Sequence, residues 1–304
     1  MRESPLRENL EYWLVVPAAR ALGRIPRRLA RLLAGGLAFA VYWLFGRLRR
    51  VGWRNLELAL PELSRQEKYR ILRSVYRHLG WQLVEFCRMS RYTAENTRGW
   101  MCTEGLDHYL AAQARGKGVL IVTGHLGAWE LSGFYHSLMG HTMSVVVRRL
   151  DNRRLDAFVN DNRCLHSNRM IHKDDFGRGL LTAMRARQTV AILMDTNMTP
   201  PQGEFVKFFD VEACTGTGLA HMARKTSAAV LPGFMLWEPT ERRYVLHFGP
   251  QIEIPHTADA AADILAATQL CTSVIESWIR RYPDQWLWIH RRWKTRPPGE
   301  PGIY

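Results

Sequence analysis

Acidic residues are scarce in this chain of 304 amino acids, and so is cysteine. Twenty-eight aspartates and glutamates face 42 lysines and arginines, leaving a formal net charge of +14. The five cysteines (Cys87, Cys102, Cys164, Cys214, Cys271) are scattered, odd in number and include no C-x-x-C pair. That spacing argues against a disulfide framework or a zinc finger and fits a reducing compartment. No G-x-S-x-G elbow and no H-E-x-x-H pair is present, and no removable signal peptide is expected. Long apolar runs are missing too. The best uncharged stretch, Leu32 to Gly46, has 15 residues, short of the roughly 20 that a spanning helix needs.

What is present is basic and aromatic. A charge of +14 calls for an anionic partner, whether lipid, nucleic acid or an acidic protein. Eleven tryptophans beside that charge lean toward a membrane interface. The charge is uneven, since residues 1–50 carry ten arginines against three glutamates, half of the total surplus. Within them, "RIPRRLARLLAGGLAFAVYWLFGRLRR" reads as an anchor, either a tilted span with snorkelling arginines or an in-plane interfacial helix. Nucleic acid is the weaker partner, because the charge flanks an apolar segment and no zinc-finger or RNA-recognition motif occurs.

Ser64 and Glu67 form a capping box, and Leu72, Val75, Leu79, Leu83 and Phe86 then recur at helical spacing. From residue 118 short apolar runs begin at Val119, Val145, Met170, Val190, Val230 and Tyr244. Helical patterns separate the first five, at about 127–139, 152–165, 176–187 and 216–227, and a last helix is expected at about 258–281. This alternation predicts an α/β fold, a central mixed sheet flanked by helices, preceded by an N-terminal hydrophobic membrane-anchor helix. The expected division is an anchoring segment at 1–50, a catalytic domain at 51–295 and a tail at 296–304.

The first apolar run ends in "VLIVTGHLGAWELSGF", residues 119–134. Ligands of open α/β sheets bind beyond the carboxyl ends of the strands, and His125 falls at such an end. On one helix His125 and Glu130 would diverge by about 140°. With His125 in the turn and Glu130 in the helix that follows, the carboxylate can reach back and orient the imidazole. Such a pair, with no protein nucleophile beside it, suits direct deprotonation of a substrate hydroxyl. Metal binding through His136 and His141 is the rival chemistry, and a non-catalytic protein that binds anionic lipid is the rival class.

Further stretches extend the pattern: "RNLELALPEL" (54–63), "VAILMDTNMTPPQGEFVKFFDVEACTGTGLAHMARKTSAAVLP" (190–232) and "VIESWIRRYPDQWLWIHRRWK" (274–294). With 116–131 they resemble the lipid A biosynthesis acyltransferases of the lauroyl/myristoyl type, in the lysophospholipid acyltransferase superfamily. The resemblance implies that His125 is a general base oriented by Glu130, in the family's histidine-x4-acid motif. It also implies that Arg163 and Asp195 engage the acceptor headgroup, with Arg169 as a second candidate for the arginine. Acyl carrier protein would be the donor and a membrane glycolipid, a lipid A precursor, the acceptor. The expected location is the cytoplasmic face of a bacterial inner membrane, with no cofactor and no metal. Two departures bear on the acceptor. Ala128 replaces the usual asparagine of Gly-Asn-Trp-Glu, and Thr196 follows Asp195 where glutamine is usual. Phosphatidylinositol mannosides therefore remain an alternative acceptor class.

Overall fold

The computed structural model describes residues 5–304. Four helices open it: α1 (Pro5–Arg24), α2 (Arg27–Leu44), α3 (Gly46–Ala59) and α4 (Arg65–Arg88). A short α5 (Ala94–Thr97) leads to β1 (Met101–Glu104) and α6 (Leu106–Ala114). Strands and helices then alternate through β2 (Val119–Thr123), α7 (Trp129–Leu138), β3 (Met143–Val147), α8 (Arg153–Arg163), β4 (Arg169–His172), α9 (Phe176–Arg185) and β5 (Thr189–Leu193). A hairpin of β6 (Gly203–Phe208) and β7 (Val211–Gly216) precedes α10 (Gly218–Thr226), β8 (Ala229–Glu238), β9 (Arg243–Phe248) and α11 (Ala260–Arg281).

Seven strands form one sheet in the order β1-β9-β8-β2-β5-β3-β4. Every neighbouring pair is parallel except β8 with β9, so the sheet is mixed, as expected. Both faces are covered, which explains the unbroken apolar runs. Leu120 and Val122 of β2 pack into the core with α9, α10 and α11, while Val119 and Ile121 pack with α6 and α7 on the other face. The two-residue side-chain period of a strand sorts them. The six expected strands and five expected helices of this region are all present. Neither β1 nor the β6–β7 hairpin was anticipated.

The N-terminal helices do not include the single spanning helix that was one of the two expectations. Among the described residues no single helix is long and apolar enough to cross a membrane. α2 stops at Leu44, Phe45 leaves helical geometry, and α3 sets off at 86°. α2 is held against α4 by a stripe of mostly small residues. Ala30, Ala34, Ala38 and Tyr42, four apart, are buried as one stripe, and α2 packs closely on α4. A Cβ at Gly80 would come within 2.8 Å of the Ala34 carbonyl. Glu85 of α4, fully buried, accepts hydrogen bonds from Arg27 and Arg31 at 3.0 and 2.8 Å and another from the Tyr92 hydroxyl. The opposite face of α2 stays exposed and apolar, with Leu32, Leu37, Phe39 and Trp43 at its surface.

The C-terminal tryptophans serve the core. Trp286, Trp288 and Trp293 are at most 1% exposed and pack against Phe208 and Phe209. Arg292, also fully buried, donates to the Cys214 carbonyl at 2.9 Å and to the Thr215 hydroxyl. Residues 296–304 fold back, and the Tyr304 hydroxyl donates to Asn55 of α3.

Candidate active site

β2 and β5 lie side by side in parallel, with Thr123 level with Leu193. Two residues past that pair the chain reaches His125 on one strand end and Asp195 on the other. The register alone brings them together, 70 positions apart in sequence. The Nδ1–H of His125 donates to Asp195 Oδ1 at 2.9 Å, and its main-chain N–H donates to Oδ2 at 2.6 Å. The indole N–H of Trp286 completes the clamp on Oδ2 at 2.8 Å. Gly124 makes this approach possible, because a Cβ there would meet the Asp195 carboxyl carbon at 2.9 Å.

The turn that carries His125 is fixed from both sides. Its carbonyl accepts from Leu287 N–H at 3.0 Å, and Gly127 N–H donates to the Gln285 carbonyl at 3.0 Å. Gly127 takes a positive φ of 67°, and a Cβ there would collide with the Met235 carbonyl. Trp129 sets its ring edge-on to the imidazole at 5.0 Å between centroids.

Glu130 lies in the first turn of α7, as expected, but its hydrogen bonds go elsewhere. Both its oxygens accept from Arg163, from Nε at 2.8 Å and from Nη2 at 2.5 Å. That two-pronged geometry is the strong form of a carboxylate–guanidinium pair. The four residues singled out from the sequence thus form two pairs, His125 with Asp195 and Glu130 with Arg163. Arg169, the other candidate arginine, is exposed on β4. His125, Glu130 and Arg163 line one cavity of about 820 Å³. Its walls are largely apolar, with Phe134, Val145, Val147, Phe176, Ile192 and Leu219. Gly216, Thr217 and Gly218 close one side. Asp195 stands behind the imidazole, buried.

The electrostatics follow from this placement. Burial opposes a charge on His125, but the carboxylate and hydrogen bond of Asp195, aided by Glu130, outweigh it and hold the imidazole pKa above its ordinary value. Burial likewise opposes charge on Asp195. The imidazole's charge and hydrogen bond and the Trp286 N–H prevail, and its pKa lies below the usual carboxylate range. Because Nδ1 donates to Asp195, Nε2 is the basic nitrogen of the neutral ring. Such a site can take a proton from a hydroxyl beside an apolar chain.

His136 and His141 stack on each other at 5.2 Å beside Tyr109. Burial drives the His136 pKa down to about 3. Among the described residues no group of three or more His, Cys, Asp or Glu is arranged to hold a metal. Trp286 escaped the sequence reading as part of the site. The dense motif around Trp286 marked it, but its aim at Asp195 depends on tertiary contact.

A family model described as bacterial lipid A biosynthesis acyltransferase matches residues 2–295. Among curated proteins, the lipid A biosynthesis palmitoleoyltransferase of Escherichia coli (strain K12) is 31% identical over 261 residues, covering 85% of this chain and 82% of the relative. The lipid A biosynthesis lauroyltransferase of the same organism is 27% identical over 293 residues, covering 96% and 94%. Its lipid A biosynthesis myristoyltransferase is 22% identical over 288 residues, covering 95% and 88%.

Proposed function

This chain belongs to the bacterial lipid A biosynthesis acyltransferases, and from that premise we propose that it transfers a fatty acyl group from an acyl-carrier-protein thioester to a hydroxyl of a lipid A precursor, with His125 as general base. The observation that carries the chemistry is the imidazole fixed by Asp195 on the wall of a largely apolar cavity.

In this mechanism the acceptor hydroxyl approaches Nε2 of His125 while the acyl chain occupies the apolar part of the cavity. The hydroxyl oxygen attacks the thioester carbonyl as its proton passes to Nε2. Asp195 holds the ring in the Nδ1–H tautomer and stabilises the imidazolium that forms, as in other base-and-orienter pairs. The tetrahedral oxyanion collapses, the carbon–sulfur bond breaks, and the imidazolium returns its proton to the departing thiolate. An ester and a free carrier thiol result. No acyl-enzyme forms, so the kinetics are sequential.

Glu130 has a second task in this account. It holds Arg163 at the cavity wall, where the guanidinium meets the anionic acceptor, and adds negative potential near His125. Asp195, with both oxygens engaged by His125 and Trp286, is given the orienting role that the motif alone would assign to Glu130.

Residues 51–295 carry this catalytic domain, and residues 1–50 attach it to the cytoplasmic face of the inner membrane. Attachment is in-plane, because α2 keeps one apolar face exposed while burying its alanine stripe. The net charge of +14 draws both the anionic surface and an acidic carrier protein. Mass spectrometry of lipid A from cells with and without the gene tests the proposal. Loss of one acyl increment is expected, and an unchanged lipid A profile would overturn it.

A further inference from the structure

A second groove, of about 1590 Å³, runs between α2, α4 and the β8–β9 turn and shares no lining residue with the reaction cavity. Arg28, Arg70, Arg73 and Arg242 stand on its rim, all exposed. None has a carboxylate within 4 Å among the described residues. The two acidic residues in the groove are already engaged, Glu241 by Arg243 and Asp284 by Ser74 and His78. Apart from the longer-range attraction of Glu67 to Arg70, the positive charge there has no partner among the described residues.

Two further features point to a ligand. Tyr76, 3% exposed, lines the groove, and its hydroxyl is buried without a hydrogen-bond partner. Such an orphan costs stability unless something binds it. Gly35 and Gly36 also line the groove, and a Cβ at either would meet nothing within 4 Å. The space is unfilled.

What fills it can be argued from the groove's open side. Leu32 and Phe39 line the groove and also belong to the exposed apolar face of α2, at 72% and 54% exposure. An occupant must offer anionic oxygens to the arginines and hydrocarbon to that face. A membrane phospholipid supplies both, and in-plane attachment through the exposed face of α2 puts the groove at the surface where such lipids lie.

We propose that this groove docks the phosphate headgroup of an anionic membrane phospholipid and so sets the orientation of the enzyme on the bilayer. The inference rests on the in-plane membrane attachment proposed above. Removing two arginines that face an anionic surface should weaken binding to it about tenfold or more.

The test is flotation of the full chain with vesicles of phosphatidylcholine alone or mixed with phosphatidylglycerol. The double variant Arg70→Gln/Arg73→Gln should lose about tenfold or more of the preference for phosphatidylglycerol. Tyr76→Phe should weaken that preference while leaving partition to phosphatidylcholine unchanged. Arg178→Gln/Arg185→Gln, an equal charge change at exposed positions on α9, should lose no more than about twofold. Equal losses in both doubles would overturn the proposal in favour of diffuse charge attraction. Retained vesicle binding with lost binding to acyl carrier protein would overturn it in favour of a protein partner. Acyl transfer in detergent micelles free of anionic phospholipid separates this proposal from the catalytic one, since the groove double should keep it.

Discussion

Asp195 accepts two hydrogen bonds from His125, one from the ring at 2.9 Å and one from the main chain at 2.6 Å. A carboxylate held to both the side chain and the backbone of its partner cannot swing away without unpicking the strand end. That rigidity gives the imidazole one tautomer and one direction, and most of the consequences below derive from it.

Asp195→Asn keeps the shape but replaces an acceptor oxygen with an amide that can donate to Nδ1, favouring the wrong tautomer. Activity should fall about 10²–10⁴-fold. Circular dichroism and thermal unfolding should change little by comparison. Activity within a few-fold of wild type would remove Asp195 from the mechanism.

The raised pKa of His125 fixes the sign of the pH dependence. A general base works only when neutral, so on the proposed mechanism kcat/KM should rise with pH through a value above that of an ordinary histidine. Glu130→Gln removes one of the charges that raise it, and this acid limb should move to lower pH. A limb that stays in place, or moves up, would contradict the electrostatic account.

Trp286→Phe removes the indole N–H while keeping an aromatic ring in the core. Asp195 Oδ2 then keeps only the His125 main-chain bond. Loss of the buried bond should cost about 1–3 kcal/mol in stability, measured as a lower urea midpoint. The Asp195 pKa should rise as well, since the indole N–H is one of the contacts that hold it down.

Glu85→Gln tests how the N-terminal helices are held. Its carboxylate answers Arg27 and Arg31 in a buried setting, and breaking such a cluster from one side costs about 3–5 kcal/mol. The variant should unfold at lower denaturant. An unchanged midpoint would mean that the alanine stripe of α2 alone holds the contact.

Much of this fold was legible because its strands are buried on both faces and so read as short apolar runs between helical patterns. β1 was missed because Met101-Cys102-Thr103-Glu104 is short and half-buried. The hairpin was missed because Gly203-Glu204-Phe205-Val206-Lys207-Phe208 lacks a continuous apolar run. The turn itself is made by Phe209 and Asp210 at φ of 52° and 59°, a conformation that turn chemistry favours glycine or asparagine to supply. The site was legible as a set of four residues but not as two pairs. The motif spacing suggested His125 with Glu130. The pairing with Asp195 depends on β5 lying next to β2, which strand order decides and local sequence does not. The N-terminal segment was legible as apolar and basic, but its bend at Phe45 and the close approach permitted by Gly80 are tertiary facts.

The most direct test is the rate of acyl transfer from labelled acyl carrier protein to a lipid A precursor by His125→Ala, measured beside wild type at matched vesicle binding. The account predicts a fall of about 10²–10⁴-fold with fold and membrane partition intact. Turnover near the wild-type rate would contradict it.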